Sequence, residues 1–323
     1  MNHPQEPAPL LASAAKAASA RAADGVVAPE GGAGAVGETR RIVLISGFES
    51  FNVKLYRRAA RNLAKRCPGV ELAVFSDRDV EANRDAVAAA LDGAEVFFGS
   101  LLFDFDQVEW LRDAVAKIPT RFVFESALEL MSETSVGSFE MKPAPDGQKA
   151  GPPPAVKAIL AKFGSGKEED KLVGYLSFLK LGPALLKFVP GRKAKDLRNW
   201  LTVYGYWNQG GRENVEEAFA YVAREYLGEY IRETPGRGAE SLGDALGALV
   251  GASKPPRETP ALGFYHPEIE ARGGKWPTSA EAYLDWFERE RDSPPLPADA
   301  PTVAVLLYRK QVITQQTYLE DLV

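Results

Sequence analysis

Histidine and cysteine are the side chains that most often bind zinc or serve in nucleophilic catalysis, and this chain has two histidines and one cysteine. His3 lies in an amino-terminal tail, which leaves His266 in the part expected to fold. No cysteine cluster and no His-x-x-x-His spacing accompanies it. We therefore interpret His266, which precedes Pro267, as a turn histidine rather than a ligand. We assign no catalytic, cofactor-binding or metal-binding residue in this chain.

The single cysteine, Cys67, follows Lys65 and Arg66 near the expected end of a helix, where a surface thiol could lie. Reactivity would require a lowered thiol pKa, and the neighbouring residues give little cause for one. A lone cysteine excludes an internal disulfide framework and fits a reducing compartment. We interpret Cys67 as an ordinary unpaired cysteine.

The turn Ser46-Gly-Phe-Glu-Ser50 follows the first apolar run, where glycine and serine can surround an anion at a helix amino terminus. It contains neither G-x-G-x-x-G nor G-x-x-x-x-G-K-[ST], and Glu49 would repel phosphate. Nucleotide binding here is the weaker interpretation. The basic face of the helix that follows, at 53–66, is more typical of a solvated surface than of a nucleic-acid site.

Length, composition and charge limit which classes of protein this chain can belong to. The chain has 323 residues, of which 45% are hydrophobic and 26% are charged, and its net charge is −5. This length allows two domains, and the charge does not indicate nucleic-acid binding. No run of about 18 uncharged apolar residues is present, so we expect no membrane span.

Residues 40–142 alternate between short apolar runs and helical periods, which predicts an α/β domain with a doubly wound, mostly parallel sheet. The run Ala94–Phe98, broken by Gly99-Ser100, is typical of a strand buried on both faces. Asp104 or Asp106 can cap the helix that follows and ends at Ile118. The other predicted elements are strands at 40–45, 70–75 and 121–125 and helices at 53–66 and 82–91.

The remaining chain divides by composition. Residues 1–39 predict a disordered tail or a transit peptide, and the Pro/Gly-rich residues 143–154 predict a linker. A helical domain is expected at 155–232 and a connector with an aromatic helix, 280–291, at 233–300. The helices expected in the helical domain are 155–163, 172–181, 184–189, 193–207 and 215–230. A weak helix is expected at 242–250, in the connector. Residues 301–309 predict a buried strand and 315–323 a helix, which is the start of a further α/β unit. That strand either joins the first sheet or belongs to a domain that is cut short.

Several motifs in the same order resemble the amino-terminal region of the large, porphyrin-binding subunit of magnesium chelatase, in the family that also includes the large cobaltochelatase subunit. The resemblance extends over about residues 41–323. Residues 309–316 depart from the family-typical turn, which suggests a divergent paralogue or a damaged gene copy. The motifs are Gly99–Phe103, Val136–Met141, Leu181–Pro190, Lys193–Asp196, Tyr206–Asn214, Phe264–Pro267 and Trp276-Pro277.

The resemblance implies insertion of Mg²⁺ into protoporphyrin IX for chlorophyll biosynthesis and photosynthesis, with both as substrates. It implies ATP hydrolysis on separate AAA+ motor subunits and a porphyrin-binding accessory protein as a further partner. Family members are several times longer, so an inactive amino-terminal fragment is expected, located in the chloroplast or otherwise in the cytoplasm. The alternatives are a stand-alone tetrapyrrole-binding or regulatory module and, on fold analogy alone, a nucleotide- or sugar-binding enzyme.

Aromatic residues are dense at 204–226, and they admit two interpretations. A porphyrin could stack on such a surface. Aromatic residues at helical spacing are more often part of a core, which is the interpretation that we favour.

Overall fold

A computed structural model of the chain describes residues 39–47, 51–141, 182–187, 189–228, 255–260, 262–271, 275–292, 301 and 303–319. Within these residues six strands form one sheet in the order β2-β1-β3-β4-β5-β6. The first four strands are parallel, and the last two pair antiparallel. The strands are β1 (Arg40–Ser46), β2 (Val70–Ser76), β3 (Val96–Ser100), β4 (Thr120–Phe124), β5 (Ser135–Val136) and β6 (Phe139–Glu140).

Helices cover both faces of this sheet, so the predicted α/β class with a doubly wound, mostly parallel sheet is confirmed. The helices are α1 (Val53–Arg66), α2 (Asp77–Ala82), α3 (Arg84–Leu91), α4 (Phe105–Val115), α5 (Leu128–Met131), α6 (Arg192–Gln209), α7 (Gly211–Tyr226), α8 (Pro267–Ala271), α9 (Ala280–Arg289) and α10 (Arg309–Ile313). A 3₁₀ turn follows at Thr317–Leu319.

The sheet has an apolar core on each face, and side chains of β1 contribute alternately to the two. Ile42 and Leu44 belong to one apolar cluster together with α1, α6 and α7. Val43 and Ile45 belong to the other, with the helices from α2 to α5. Because successive side chains of a strand point to opposite faces, a continuous apolar run is what a sheet with two covered faces requires. The helices α6 and α7 therefore share a core with the sheet.

Local signals set most element boundaries. The Asn52 side chain accepts hydrogen bonds from the backbone N–H groups of Lys54 and Leu55 and begins α1 at the predicted residue. Of the two predicted caps for α4, Asp104 is the one used, through a bond from the Gln107 N–H at 3.0 Å.

Other boundaries were predicted wrongly. β3 continues through Gly99 and Ser100, because pairing with β1 and β4 supplies partners to their backbone. The helix predicted at 82–91 begins two residues later, at Arg84, and the separate helix α2 before Asn83 was not predicted. α4 ends at Val115 rather than Ile118. The hairpin of β5 and β6 was not predicted, because two-residue strands carry no detectable period.

The prediction of a buried strand at 301–309 is wrong for the residues described there. Residues 303–308 have no regular secondary structure, and Leu306 is fully exposed. A continuous apolar run favours a strand only where a neighbouring strand can take up its hydrogen bonds, and none of the described strands does so. Of the helix predicted at 315–323, the described residues form only the 3₁₀ turn at Thr317–Leu319, and residues 320–323 lie outside the described part of the chain. The helix α10 that precedes it was not predicted.

Some predictions lie wholly or mostly outside the described residues: the tail at 1–39, the linker at 143–154 and the helices at 155–163, 172–181 and 242–250. The domain boundaries stay a prediction. α6, α7 and α9 form close to where helices were expected, and residues 182–186 form a helical turn near the one predicted at 184–189.

Candidate functional site

The carboxyl ends of the parallel strands are where an open α/β sheet usually binds its ligand. Here Ser46 of β1 is in register with Ser100 of β3, and Ser100 is in register with Phe124 of β4. The loops after these three strands therefore leave the sheet side by side. This edge is the first candidate for chemistry.

Aromatic side chains fill the edge next to α1. The indole N–H of Trp207 donates to the Ser100 hydroxyl oxygen at 2.9 Å, and the Trp207 ring stacks on Tyr56 with centroids 6.0 Å apart. Tyr56 is fully buried, and burial raises its pKa, while a hydrogen bond with Ser46 opposes that shift. Both serine hydroxyls thus have protein partners, and aromatic side chains pack beside them.

The turn after β1 is closed to an anion in the part that the structure describes. The Gly47 N–H donates to the Ser100 carbonyl oxygen at 2.8 Å. A Cβ atom at Gly47 would lie 2.0 Å from the Leu101 carbonyl oxygen. Glu49 lies outside the described residues. Glycine is present here because the neighbouring loop passes in contact with it, and the phosphate-binding interpretation gains no support.

Two residues with positive φ angles follow the neighbouring strands β3 and β4. Leu101 has φ of 57° and Glu125 has φ of 47°. Residues other than glycine adopt this conformation at a cost of about 1–2 kcal/mol each. Such strain persists only where the surroundings hold it, and it concentrates at functional positions. The Leu101 N–H donates to the Phe124 carbonyl oxygen at 3.4 Å, so the two turns support each other.

A buried ion pair closes this edge from the carboxyl-terminal side. Lys310 Nζ in α10 lies 2.6 Å from a Glu125 carboxylate oxygen, and the two side chains are 10% and 29% exposed. The preceding residue, Arg309, donates to the carbonyl oxygens of Asn208, Thr259 and Pro260. Asn52 Nδ2 donates to the carbonyl oxygens of Thr314 and Gln315. α10 is therefore attached at several points across the edge.

The sequence analysis did not identify the ion pair at this edge. Arg309 and Lys310 were noted only as part of a departure from a family-typical turn, and Glu125 only as the end of a predicted strand. The positive charge pair Arg309-Lys310 after an apolar run was the one available signal. Its partner Glu125 is 185 positions away.

His266 has a structural role in the described residues, as predicted. Its Nδ1 accepts a hydrogen bond from the Glu268 N–H at 3.2 Å, which caps α8. The ring packs against Trp286 with centroids 5.0 Å apart, and it is buried. Burial lowers the pKa of His266, with a smaller opposing effect from Glu268. A neutral ring with a proton on Nε2 fits this arrangement.

Cys67 is fully buried and ends α1, where its N–H donates to the Leu63 carbonyl oxygen at 2.7 Å. The surface position considered for its thiol is thus wrong, because the chain turns inward at Pro68 to enter β2. Cys67 is not part of a disulfide.

The aromatic residues of α6 and α7 belong to the core, which confirms the favoured interpretation. Of the aromatic residues at 204–226, Tyr226 is partly exposed. The buried ones are Tyr204, Tyr206, Trp207, Phe219 and Tyr221. The hydroxyl of Tyr221 donates to Asn199 Oδ1 at 2.8 Å, and Asn199 Nδ2 donates to the Tyr226 oxygen at 3.1 Å. These rings offer no flat exposed surface to a ligand.

The basic helix α1 is partly an internal surface. Arg66 forms an ion pair with Glu217 of α7 at 2.9 Å, and Asn62 donates to Glu216 at 2.8 Å. Lys54, Arg58, Arg61 and Lys65 remain exposed. A solvated face, with one end used for helix packing, accounts for this pattern.

The motifs singled out in the sequence contact one another. Asp196 accepts bonds from the N–H and the hydroxyl of Ser138, both at 2.7 Å, which joins α6 to the β5–β6 hairpin. A Cβ atom at Gly137 would lie 2.5 Å from the Asp196 carboxylate. The hydrogen bond from Trp207 to Ser100 joins the motif Tyr206–Asn214 to the motif Gly99–Phe103. The motifs therefore specify contacts within the fold.

The described residues do not bring together three or more histidine, cysteine, aspartate or glutamate side chains that could hold a metal ion. Among them, too, no helix has the length and apolar character needed to cross a bilayer.

Comparison with known proteins adds family information. A family model described as a domain of unknown function (DUF3479) matches residues 41–201, and one described as CobN/Magnesium Chelatase matches residues 204–323. The chain is similar to the magnesium-chelatase H subunit of Chlorobaculum parvum, with 29% identity over 88% of this chain and 20% of the relative. It is 27% identical to the chloroplastic magnesium-chelatase subunit ChlH of Oryza sativa subsp. japonica over 90% of this chain and 20% of that protein. The H subunit of Rhodobacter capsulatus is 26% identical over 82% of this chain and 20% of its own length.

A catalytic subunit of cobaltochelatase from Mycobacterium tuberculosis aligns with 71% of this chain and 12% of its own, with 14% identity and a TM-score of 0.32. The chain spans about a fifth of the length of the curated relatives described above.

Proposed function

Because the chain belongs to the CobN/magnesium chelatase family, we propose that it corresponds to the amino-terminal part of a magnesium chelatase large subunit. The proposed reaction of the whole subunit is insertion of Mg²⁺ into protoporphyrin IX, both as substrates, in chlorophyll biosynthesis. Two family models that match in chain order over residues 41–201 and 204–323 carry this proposal.

We further propose that this stretch contributes assembly rather than chemistry. Metal insertion needs groups that remove the pyrrole protons and ligands that dehydrate the cation. At the sheet edge described above, Lys310 and Glu125 form an ion pair with each other, and the Ser46 and Ser100 hydroxyls have protein partners. ATP hydrolysis would lie on AAA+ motor subunits, and a porphyrin-binding accessory protein would be a further partner.

A chelation assay tests this proposal. The purified chain is mixed with motor subunits, ATP, Mg²⁺ and protoporphyrin IX, and metalloporphyrin fluorescence is followed. The full-length H subunit of Chlorobaculum parvum with its own motor subunits is the positive control. We expect fluorescence from the control alone. Sustained turnover with this chain as the sole large subunit would contradict the assembly role.

A second candidate, a tetrapyrrole-binding or regulatory module, is favoured by one observation. α9 has no buried residue, and it carries Tyr283, Trp286 and Phe287 on one face. Phe264 stacks on Tyr283 with centroids 5.5 Å apart. Half-exposed rings of this kind can stack on a flat macrocycle.

Quenching of tryptophan fluorescence by protoporphyrin IX separates the two candidates. A binding module predicts saturable quenching that is weakened in Trp286→Leu and retained in Trp110→Leu, since Trp110 lies on α4. The assembly role predicts no saturable quenching from any of the three proteins.

For localisation we propose the chloroplast, on the strength of the rice relative, with the cytoplasm as the alternative that the bacterial relatives support. A fusion of residues 1–39 to a fluorescent protein, followed by import into isolated chloroplasts, distinguishes them. Import with cleavage supports the chloroplast, and failure to import supports the cytoplasm.

A further inference from the structure

Three large apolar side chains are exposed at the carboxyl edge of the sheet, one in the loop after β3 and one at the first residue of each of α4 and α5. Phe103 is 63% exposed, Phe105 is 71% exposed and Leu128 is 78% exposed. We call these residues the apolar tip. Contiguous exposed apolar surface of a few hundred Å² on a protein usually marks an interaction site. The tip is therefore a candidate for binding rather than an ordinary surface feature.

The apolar tip is presented by a tightly bonded framework. The Leu102 N–H donates to the Ser126 hydroxyl oxygen at 3.2 Å, and the Ala127 N–H donates to the Leu102 carbonyl oxygen at 2.9 Å. Phe103 and Leu128 each follow one of these bonded residues, so the same pair of joined loops presents both. The buried Leu102 and the strained Leu101 and Glu125 fix the loops. A loose loop could fold its apolar residues inward, whereas this framework holds them outward.

An acidic groove adjoins the tip. It is a shallow, open depression along the exposed side of α4, which supplies all the residues that line it: Asp106, Glu109, Trp110, Arg112 and Asp113. Arg112 forms an ion pair with Glu133 at 3.3 Å, and Arg84 lies over the Trp110 ring. Asp104 and Glu129 add two further exposed acids beside the tip. Acids thus outnumber bases around the exposed phenylalanines.

We propose that the apolar tip and the acidic groove together form a docking surface for a protein segment that presents apolar side chains flanked by lysine or arginine. The apolar side chains would cover the tip, and the basic ones would enter the groove, where the charges are complementary. An anionic membrane surface fits less well, because the same acids would repel it. This inference is independent of the proposed function, since it rests only on burial, charge and loop geometry.

A defined probe tests the surface. A fluorescein-labelled helical peptide built of leucine and lysine is titrated with the full chain, and fluorescence anisotropy gives its dissociation constant. An otherwise identical peptide of leucine and glutamate is the charge control. We expect binding of the lysine peptide alone, weakening as salt is raised because the attraction is screened.

Two variants examine the two halves of the surface. F103S/F105S removes the apolar anchors, and D106N/E109Q/D113N removes the charge of the groove. Each is expected to weaken binding by about tenfold or more, since anchors at the centre of an interface carry most of its affinity. Their matched controls are V303S/L306S and E281Q/D285N/E288Q, which change equally exposed residues elsewhere. These controls should bind as the unchanged chain does. Circular dichroism confirms that each variant is folded.

Several outcomes would overturn the proposal. They are failure of the lysine peptide to bind, equal affinity for the tip variant and the unchanged chain, and an equal loss of affinity in the control variants. Stronger binding to phosphatidylglycerol vesicles, lost in F103S/F105S, would assign the tip to a membrane instead. Concentration-dependent dimers in sedimentation, lost in that same variant, would assign it to a second copy of the chain.

Discussion

The side-chain nitrogen of Lys310 lies 2.6 Å from a carboxylate oxygen of Glu125 and joins α10 to the strained turn after β4. This contact crosses 185 positions of sequence and closes the edge where the sheet would otherwise be open. Together with the hydrogen bonds of Arg309 and Asn52, it attaches residues 309–319 to the rest of the fold.

Lys310→Met leaves the Glu125 carboxylate partly buried without its counter-charge. We expect the free energy of unfolding to fall by about 1–2 kcal/mol, less than for a fully buried pair because Glu125 keeps some exposure. Urea unfolding followed by circular dichroism measures the change. Lys117→Met, at an exposed lysine, is the matched control.

The double variant E125Q/K310M should recover part of that loss, because it also removes the uncompensated charge. If K310M were as stable as the unchanged chain, or if K117M lost as much, the ion pair would not be what attaches α10.

The close approach at Gly47 gives a second prediction. A Cβ atom there would lie 2.0 Å from the Leu101 carbonyl oxygen, which is backbone and has little freedom to move. Gly47→Ala is expected to lower the free energy of unfolding by about 2–3 kcal/mol through overpacking. Chemical denaturation of the purified variant measures this loss.

Gly205→Ala is the control for Gly47→Ala. Gly205 lies inside α6, where a Cβ atom would meet the side chain of Pro256 at an ordinary 3.4 Å. Alanine should stabilise that helix by about 0.5–1 kcal/mol relative to glycine. Equal behaviour of the two alanine variants would refute the steric argument.

Much of the α/β part could be predicted because its signals are local. Asn52 caps α1, and the spacing of Leu55, Ala59 and Leu63 sets its buried face. Apolar runs such as that in β1 need no knowledge of distant residues to be recognised as strands with two covered faces. The positions of helices α6, α7 and α9 were found from the same periodicity.

What could not be predicted depends on contacts between distant segments. Ser100 continues β3, rather than ending it, because Ser46 and Phe124 pair with it from either side. The continuous apolar run at 303–308 predicted a buried strand, but burial requires a neighbouring strand or helix that a local pattern does not specify. The Lys310–Glu125 pair and the exposed apolar tip depend in the same way on which loops meet at the sheet edge.

His266 gives a prediction about pH. Burial lowers its folded-state pKa below the ordinary value of 6.5, so the unfolded chain binds more protons in the interval below that value. The stability that neutral His266 contributes is therefore fully present above pH 6.5 and declines as the pH falls below it.

His266→Asn tests this sign, because an asparagine oxygen can replace Nδ1 as the acceptor for the Glu268 N–H and does not titrate. Urea unfolding from pH 5 to 8 should show the unchanged chain losing stability relative to the variant as the pH falls. His3 is present in both proteins and cancels in the comparison. A pH-independent difference would show that His266 does not titrate with unfolding.

Two adjacent glutamates of α7 give opposite predictions. Burial between α1 and α7 raises the pKa of Glu216, and the bond from Asn62 Nδ2 opposes that shift. Since the fold disfavours the charged form, Glu216→Gln should be neutral or stabilise the protein by up to about 1 kcal/mol, and it keeps the acceptor for Asn62.

Glu217→Gln instead removes the charge that faces Arg66 at 2.9 Å and should cost about 0.5–1 kcal/mol at low salt. Because both substitutions keep side-chain size and helix position, their difference isolates the electrostatic environment. Thermal and urea unfolding at pH 7 in low and high salt measure it. The cost at Glu217 should shrink with salt, and a loss at Glu216 as large as that at Glu217 would refute the raised pKa.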